Sequence, residues 1–365
     1  MTEVLPERRT ARLVDVAKAA GVSRGTAGNV FSRPELVRAE VRARVEEAAR
    51  NLGYGGPDPK GRLLRAGRTN AIGVVMPAAA GISLSFKHPY MREFLTGVAE
   101  VCEEQSAGMS LVSGIDDQKA WGIRNALVDG FILSSIEEVE LIEPALRRKL
   151  PFVVMDIDGG PDISSVRIDD RDGARQLAQH LVDLGHRRFA VLSVLRQSGH
   201  APIFHGPGET PHGLFAGYPN DRDRLSGIAD VLERVGISIN DVPIIEVFGG
   251  AAEGPSFGGA VEGASMLLDN APEATAVLAL GDTQELAILA EARRRNIAVP
   301  GDLSIVGFDD PPQLALANPP LTTIVQPTAE KGRVAARMLF DGGAPRHVVL
   351  PVKLIVRGST APPRR

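Results

Sequence analysis

LVDVAKAAGVSRGTAGNVFS, residues 13–32, is the stretch whose reading decides the fold. Leu13, Val16, Ala17 and Ala20 recur at i, i+3, i+4 and i+7 and make one apolar helical face. Gly21 follows at once, where a helix that turns sharply needs a residue tolerant of positive φ. Ser23 then occupies an N-cap position, its hydroxyl able to accept from a free backbone N–H. The small side chains of Ala17 and Ala20 let a second helix cross closely. Two short helices joined by such a turn predict a helix-turn-helix, whose second helix enters the DNA major groove. An ordinary helical hairpin in a core shares the local pattern, so the surroundings have to decide.

The surroundings favour DNA. The first 68 residues hold 14 Lys/Arg against 8 Asp/Glu, whereas the remaining 297 hold 27 against 37. A basic head on an acidic body points to a polyanionic partner for the head alone. After the helical head comes GGPDPKG (55–61), a run of turn formers that reads as a linker. Beyond it, short apolar runs alternate with helical stretches: AIGVVMP, GFILSS, PFVVMDI, FAVLSV, PIIEVF, AVLAL and LSIVGF. That alternation predicts parallel sheets with helices on both faces, and such sheets bind ligands at the carboxyl ends of their strands. Residues 197–223 are the least regular part.

Composition narrows the classes. The chain has 365 residues and is 44% hydrophobic, enough for two to three domains with their own cores. One cysteine, Cys102, excludes an internal disulfide and a cysteine metal cluster. No run approaches the roughly 18 apolar residues of a membrane span. MTEVLPERRTAR has no apolar segment of the signal-peptide kind, so a cytoplasmic, nucleoid-associated protein is expected. No G-x-S-x-G, P-loop or strand-following G-x-G-x-x-G is present, and no enzyme is expected. His200, His205 and His212 have no standard zinc spacing, so neither a metal nor a cofactor is expected.

The same residues carry a family resemblance. DVAKAAGVS, a third helix over about 38–52 ending in NLGY, and GRLLRAGRTNAIGVVMP (61–77) resemble the LacI/GalR transcription regulators. LVDLGHRRFAVL (181–192), VPGDLSIVGFDD (299–310) and PPLTTIVQP (319–327) continue the likeness in the family's order. The resemblance implies an all-α helix-turn-helix headpiece plus a two-lobed α/β core like that of periplasmic binding proteins. It places the headpiece at 1–57, a hinge at 58–70 and an effector-binding and dimerisation core at 71–365. The lobes would comprise roughly 71–167 with 326–347, and roughly 168–325 with 348–360.

Residue by residue, the resemblance makes 23–31 the recognition helix. Ser23, Arg24, Gly25, Thr26 and Asn29 then face DNA. Arg24 can donate twice to guanine and Asn29 can pair with adenine, while Thr26 suits a phosphate or a thymine methyl. Arg33 and Arg38 are placed as phosphate partners. In the hinge, Leu64 would wedge between base pairs, with Arg62 near a phosphate. Here the chain departs from the family's pattern: it reads VSRGTAGNVFS where members commonly have VSxxTVSRVLN, so no relative's operator sequence carries over to it. In the core, Tyr90, Arg224, Phe248, Asp282 and Asp309 match effector-contacting positions. Carboxylates and an arginine around an aromatic suit a polyhydroxylated, sugar-like molecule.

The expectation is thus a DNA-binding regulator, in the first instance a repressor, that binds operator DNA as a homodimer or dimer-based tetramer under control of a small-molecule effector. Two alternatives are a sugar-binding protein without a DNA role and an enzyme on the α/β core.

Overall fold

The computed structural model describes residues 11–57, 67–76, 81–112, 119–134, 142–195, 201–214, 219–248, 257–281 and 284–364. The chain divides into two compact units, Met1–Thr69 and Asn70–Arg365.

The first unit contains α1 (Leu13–Ala19), α2 (Arg24–Ser32) and α3 (Ala39–Leu52). Gly21 has φ +66°, and the Val22 N–H reaches back to the Ala17 carbonyl at 3.0 Å. That left-handed residue lets α1 end and the chain reverse within a few residues. The Ser23 Oγ accepts from the Thr26 N–H at 3.0 Å, satisfying one of the free donors that open α2. The core is built from small residues: Val16, Ala17, Ala20, Ala27, Val30, Val45, Ala48 and Ala49. Phe31 and Tyr54 close its edge in a T-shaped pair with ring centroids 5.6 Å apart.

The second unit runs β1 (Ala71–Val75), α4 (Gly81–Ser85), α5 (Pro89–Glu104), β2 (Gly108–Val112), α6 (Lys119–Asn125), β3 (Gly130–Leu133), α7 (Ile142–Arg147), β4 (Phe152–Met155) and β5 (Ser164–Ile168). It continues with α8 (Asp170–Asp183), β6 (Phe189–Leu195), β7 (Ile203–His205), α9 (Pro219–Arg234), β8 (Ile244–Phe248), α10 (Phe257–Asn270), β9 (Ala276–Ala279) and α11 (Gln284–Arg294). It ends with β10 (Ser304–Phe308), α12 (Pro312–Leu316), β11 (Thr322–Val325), α13 (Thr328–Asp341), β12 (His347–Leu350) and β13 (Lys353–Ile355).

Two sheets result, ordered β12-β5-β4-β3-β1-β2 and β13-β11-β10-β9-β6-β8-β7. The first is parallel throughout. The second is parallel except for its edge strands, β13 and β7, which pair antiparallel. Central strands such as GFIL and AVLA are buried at every position, as strands covered by helices on both faces must be. β5 runs through Ile168, and all of β12 pairs with it. HVVLPVKLIV reads as one apolar run, but Pro351 cannot donate to a ladder and breaks it into β12 and β13. Against the first sheet α5 packs on α13, and against the second α8 packs on α9. The α5–α13 crossing depends on Gly97 and Gly332, where an added Cβ would run into the carbonyl oxygens of Ala329 and Phe94.

Candidate DNA-reading face and effector cleft

On α2, Ala27 and Val30 are buried against α1 and α3. Gly25 and Asn29, spaced i and i+4, form the opposite ridge, flanked by Arg24 and Thr26. Ser23, Arg24, Gly25 and Asn29 are exposed and Thr26 is half-buried. The Ser23 hydroxyl is engaged in the cap, 2.9 Å from the Thr26 hydroxyl, so its contribution to this face is to fix where the helix starts. Arg24 is the first residue of α2, and Arg33 and Arg38 flank the connection to α3, all exposed. A helix with an apolar inner side and short polar residues outside can approach base edges closely. Arg62 and Leu64 lie outside the described residues.

In the second unit, the carboxyl ends of strands from both sheets converge. Asp156 follows β4 with φ +60°, and Asp309 follows β10 with φ +81°. Asp170 opens α8 directly after β5, and the Leu280 carbonyl follows β9. Lys331, on α13, is 1% exposed. Its ammonium donates to Asp156 Oδ1 at 2.5 Å, the Tyr90 hydroxyl at 2.9 Å and Gln326 Oε1 at 3.2 Å. The Tyr90 hydroxyl in turn donates to Asp156 Oδ2 at 3.0 Å. Gln326 Nε2 donates to Asp309 Oδ1 at 2.5 Å, and Arg224 Nη2 approaches the same oxygen at 3.4 Å. Arg224 Nε donates to Asp170 Oδ1 at 2.7 Å and Nη1 to the Leu280 carbonyl at 2.6 Å, with its guanidinium 3.7 Å above the Phe308 ring. One continuous polar chain thus links the two lobes.

Burial sets the titration behaviour here. It pushes the Tyr90 phenol above its ordinary value, reinforced by the Asp156 charge. Burial alone would lower the Lys331 ammonium, but Asp156 and Tyr90 hold it above the ordinary range. Burial raises Asp170 to about 6 against the pull of Arg224. Arg224 stays charged: burial opposes it, and Asp170 and Asp309 more than compensate. The charged forms of Lys331 and Arg224 therefore persist inside the cleft, each facing a carboxylate.

Beside this chain lies a cleft of about 240 Å³ lined by Tyr90, Arg92, Glu93 and Thr96 of the first lobe and Asp309 and Asp310 of the second. Tyr90 and Asp309 line this cleft, and Arg224 reaches it through Asp309 without lining it. Arg224 does so while fully occupied by protein partners, with only its Nη2 contact a long one. Phe248 ends β8, but its side chain, like all of Asp282, lies outside the described residues. Lys331, Asp156, Asp170 and Gln326 were not singled out from sequence. One signal was available: in TAEKGRVAARMLF, Lys331 shares its helical spacing with Ala335, Met338 and Leu339, all buried. A lysine on an apolar stripe needs a buried anion.

Similarities to known proteins follow this division of the molecule. The family model of bacterial regulatory proteins, lacI family, matches residues 12–56. That of the periplasmic binding protein-like domain matches residues 178–360. An HTH-type transcriptional regulator of Mycobacterium tuberculosis is 34% identical, the alignment covering 98% of each chain. The HTH-type transcriptional repressor CytR of Escherichia coli is 30% identical over 97% of each. Among solved structures, the transcriptional regulator CelR–cellobiose complex is 27% identical with a TM-score of 0.66, covering 96% of this chain and 99% of that one.

Proposed function

The chain belongs to the lacI family of bacterial regulatory proteins, and from that premise we propose that it is a repressor whose hold on operator DNA is set by a small polyhydroxylated effector in the cleft between its lobes. Transcriptional regulation through a DNA-binding helix-turn-helix is the common property of its relatives. The observation that carries the finer reading is the α2 ridge. Gly25 and Asn29 stand opposite a fully apolar inner face, with the exposed Arg24 beside them. In this reading, residues 1–57 act as the headpiece, 58–70 as the hinge and 71–365 as the core. Arg24 and Asn29 read bases, Thr26 assists, and Arg33, Arg38 and Arg62 contact phosphates, with Leu64 wedged in the minor groove. The protein works as a homodimer, because one headpiece spans too few base pairs and a palindrome doubles the contact.

The effector would meet Tyr90, Arg224 and Asp309, with Phe248 and Asp282 nearby. The cleft's carboxylates and guanidinium support an uncharged polyol, whose hydroxyls both donate and accept. That CelR is seen with cellobiose supports a sugar-like ligand.

The DNA reading is tested on fragments of the protein's own promoter region and on an operator library. Arg24→Ala is expected to lose roughly 1–3 kcal/mol of discrimination at one base position. Arg33→Ala should weaken binding to all sequences alike and reduce the salt slope by about 1. An unchanged preference profile for Arg24→Ala would remove α2 from base reading.

A further inference from the structure

The segment that the sequence leaves least regular builds a cluster separate from the cleft network. β7 (Ile203–His205) adds an antiparallel edge strand to β8, pairing His205 with Ile244 and Ile203 with Glu246. The chain then returns through a short 3-10 turn, His212–Leu214. Glu246 is fully buried and His205 is 5% exposed. His205 Nε2 lies 2.7 Å from Glu246 Oε2, and His212 Nδ1 lies 3.3 Å from the same oxygen. The two imidazoles meet edge-on with centroids 4.8 Å apart. The carboxylate is also oriented by backbone: the Gly213 N–H donates to Oε1 at 2.6 Å and the His212 N–H to Oε2 at 3.1 Å.

We propose that His205, His212 and Glu246 form a binding site for a borderline divalent metal ion, zinc first, which fastens the 203–214 segment to the edge of the second sheet. The donor set is two imidazole nitrogens and one carboxylate oxygen. That set suits zinc, cobalt, nickel or copper and is poor for magnesium or calcium, which prefer all-oxygen shells. The three donor atoms lie within 4.8 Å of one another. Zinc bonds of about 2.0–2.2 Å put tetrahedral ligands roughly 3.3–3.5 Å apart. The His212–Glu246 separation of 3.3 Å already meets this, and the His205–Glu246 contact needs to open by roughly 0.6 Å to do so. The His212 side chain is 43% exposed, although its Nδ1 is buried against Glu246. The backbone N–H groups on Glu246 play the part of an outer shell that fixes the carboxylate. The proposal runs against the sequence expectation of no metal at the histidines of this segment. Glu246 comes 41 residues after His205, and only strand pairing brings it into reach. The turn bearing His212 packs on α9, so the metal steadies the helix that carries Arg224. The site itself stands independently of what the effector is.

The test uses untagged full-length protein stripped with a chelator, then dialysed against Zn²⁺ or Co²⁺ and separated from free metal. About one zinc retained per chain, and visible d–d bands of low-symmetry Co²⁺, are expected. Mg²⁺ and Ca²⁺ should not compete. His212→Ala, whose side chain is 43% exposed, should keep the fold by circular dichroism. It should bind metal at least tenfold more weakly and lose the Co²⁺ bands, and Glu246→Gln should do the same. The proposal is overturned if wild type retains no stoichiometric metal, which would leave the cluster a hydrogen-bonded clamp. It is equally overturned if His212→Ala and Glu246→Gln retain metal as wild type does, which would move the binding elsewhere.

Discussion

A lysine ammonium taken out of water, as at Lys331, costs several kcal/mol unless anions and hydrogen bonds replace its hydration. Here Asp156, Tyr90 and Gln326 supply them. Removing only the cation leaves the Asp156 carboxylate with the Tyr90 hydroxyl but without its counter-charge. Lys331→Met is therefore expected to destabilise the core by about 3 kcal/mol. Lys331→Met with Asp156→Asn should regain most of that, because no unpaired charge remains. Urea unfolding of the three proteins measures this; a single variant as stable as wild type would show that the pair contributes no net stability. In the headpiece the opposite argument applies to Gly28. Its added Cβ would meet Leu13 Cδ2 at 3.6 Å, an ordinary contact. Gly28→Ala should therefore stabilise α2 by about 1 kcal/mol, read as slower hydrogen exchange of the α2 amides. Residue types alone identified the N-cap at Ser23 and the turn at Gly21, because both requirements are local. Asp170 and Gln326 were not legible: nothing near them in sequence says that a guanidinium or an ammonium will lie within reach.

Among the elements, α8 and α9 are clamped by Asp230, which accepts from Arg171 at 2.7 and 2.8 Å and from Arg175 at 2.8 Å. Hydrogen bonding from Arg171, reinforced by Arg175, lowers its carboxyl to about 2. A carboxyl depressed in the folded state contributes stability above its unfolded value near 4, and that contribution is lost as pH falls toward 2. Arg171 is 46% exposed, so solvent screening reduces the clamp's worth; Asp230→Asn should cost about 1 kcal/mol at pH 7. The difference between wild type and variant should shrink steadily between pH 4 and pH 2, measured by urea unfolding at each pH. A constant difference would mean that the loss comes from packing, not charge. Most elements could be read from the chain because buried parallel strands are apolar throughout and helices keep their period. β7 could not: three residues, IFH, form a strand only because β8 offers an edge. Nor could the break at Pro351, where one apolar run serves two sheets.

At the scale of the whole molecule there is a basic head and an acidic body, and the proposed function assigns DNA to the first and the effector to the second and requires the two to be coupled. Coupling is a free energy shared by two binding events, so whatever factor the effector applies to operator affinity, the operator must apply to effector affinity. The polar chain from Tyr90 through Lys331, Gln326 and Asp309 to Arg224 gives the lobes a joint whose arrangement a ligand can bias. Arg224→Lys probes it while keeping a cation at the buried position. The ammonium keeps a charge for Asp170 but loses the planar fork that reaches Asp170, Leu280 and Asp309 together. Operator affinity without effector should stay within about twofold of wild type, since residue 224 belongs to the second unit. The change produced by candidate sugars, nucleosides and related metabolites should fall by tenfold or more, a coupling loss of about 1.4 kcal/mol. Operator titration with and without each compound, paired with effector binding with and without operator, measures both sides of the cycle. If Arg224→Lys responds to effector as wild type does, the ligand does not depend on this guanidinium. If operator affinity collapses without effector, Arg224 holds the DNA-competent state itself rather than the ligand.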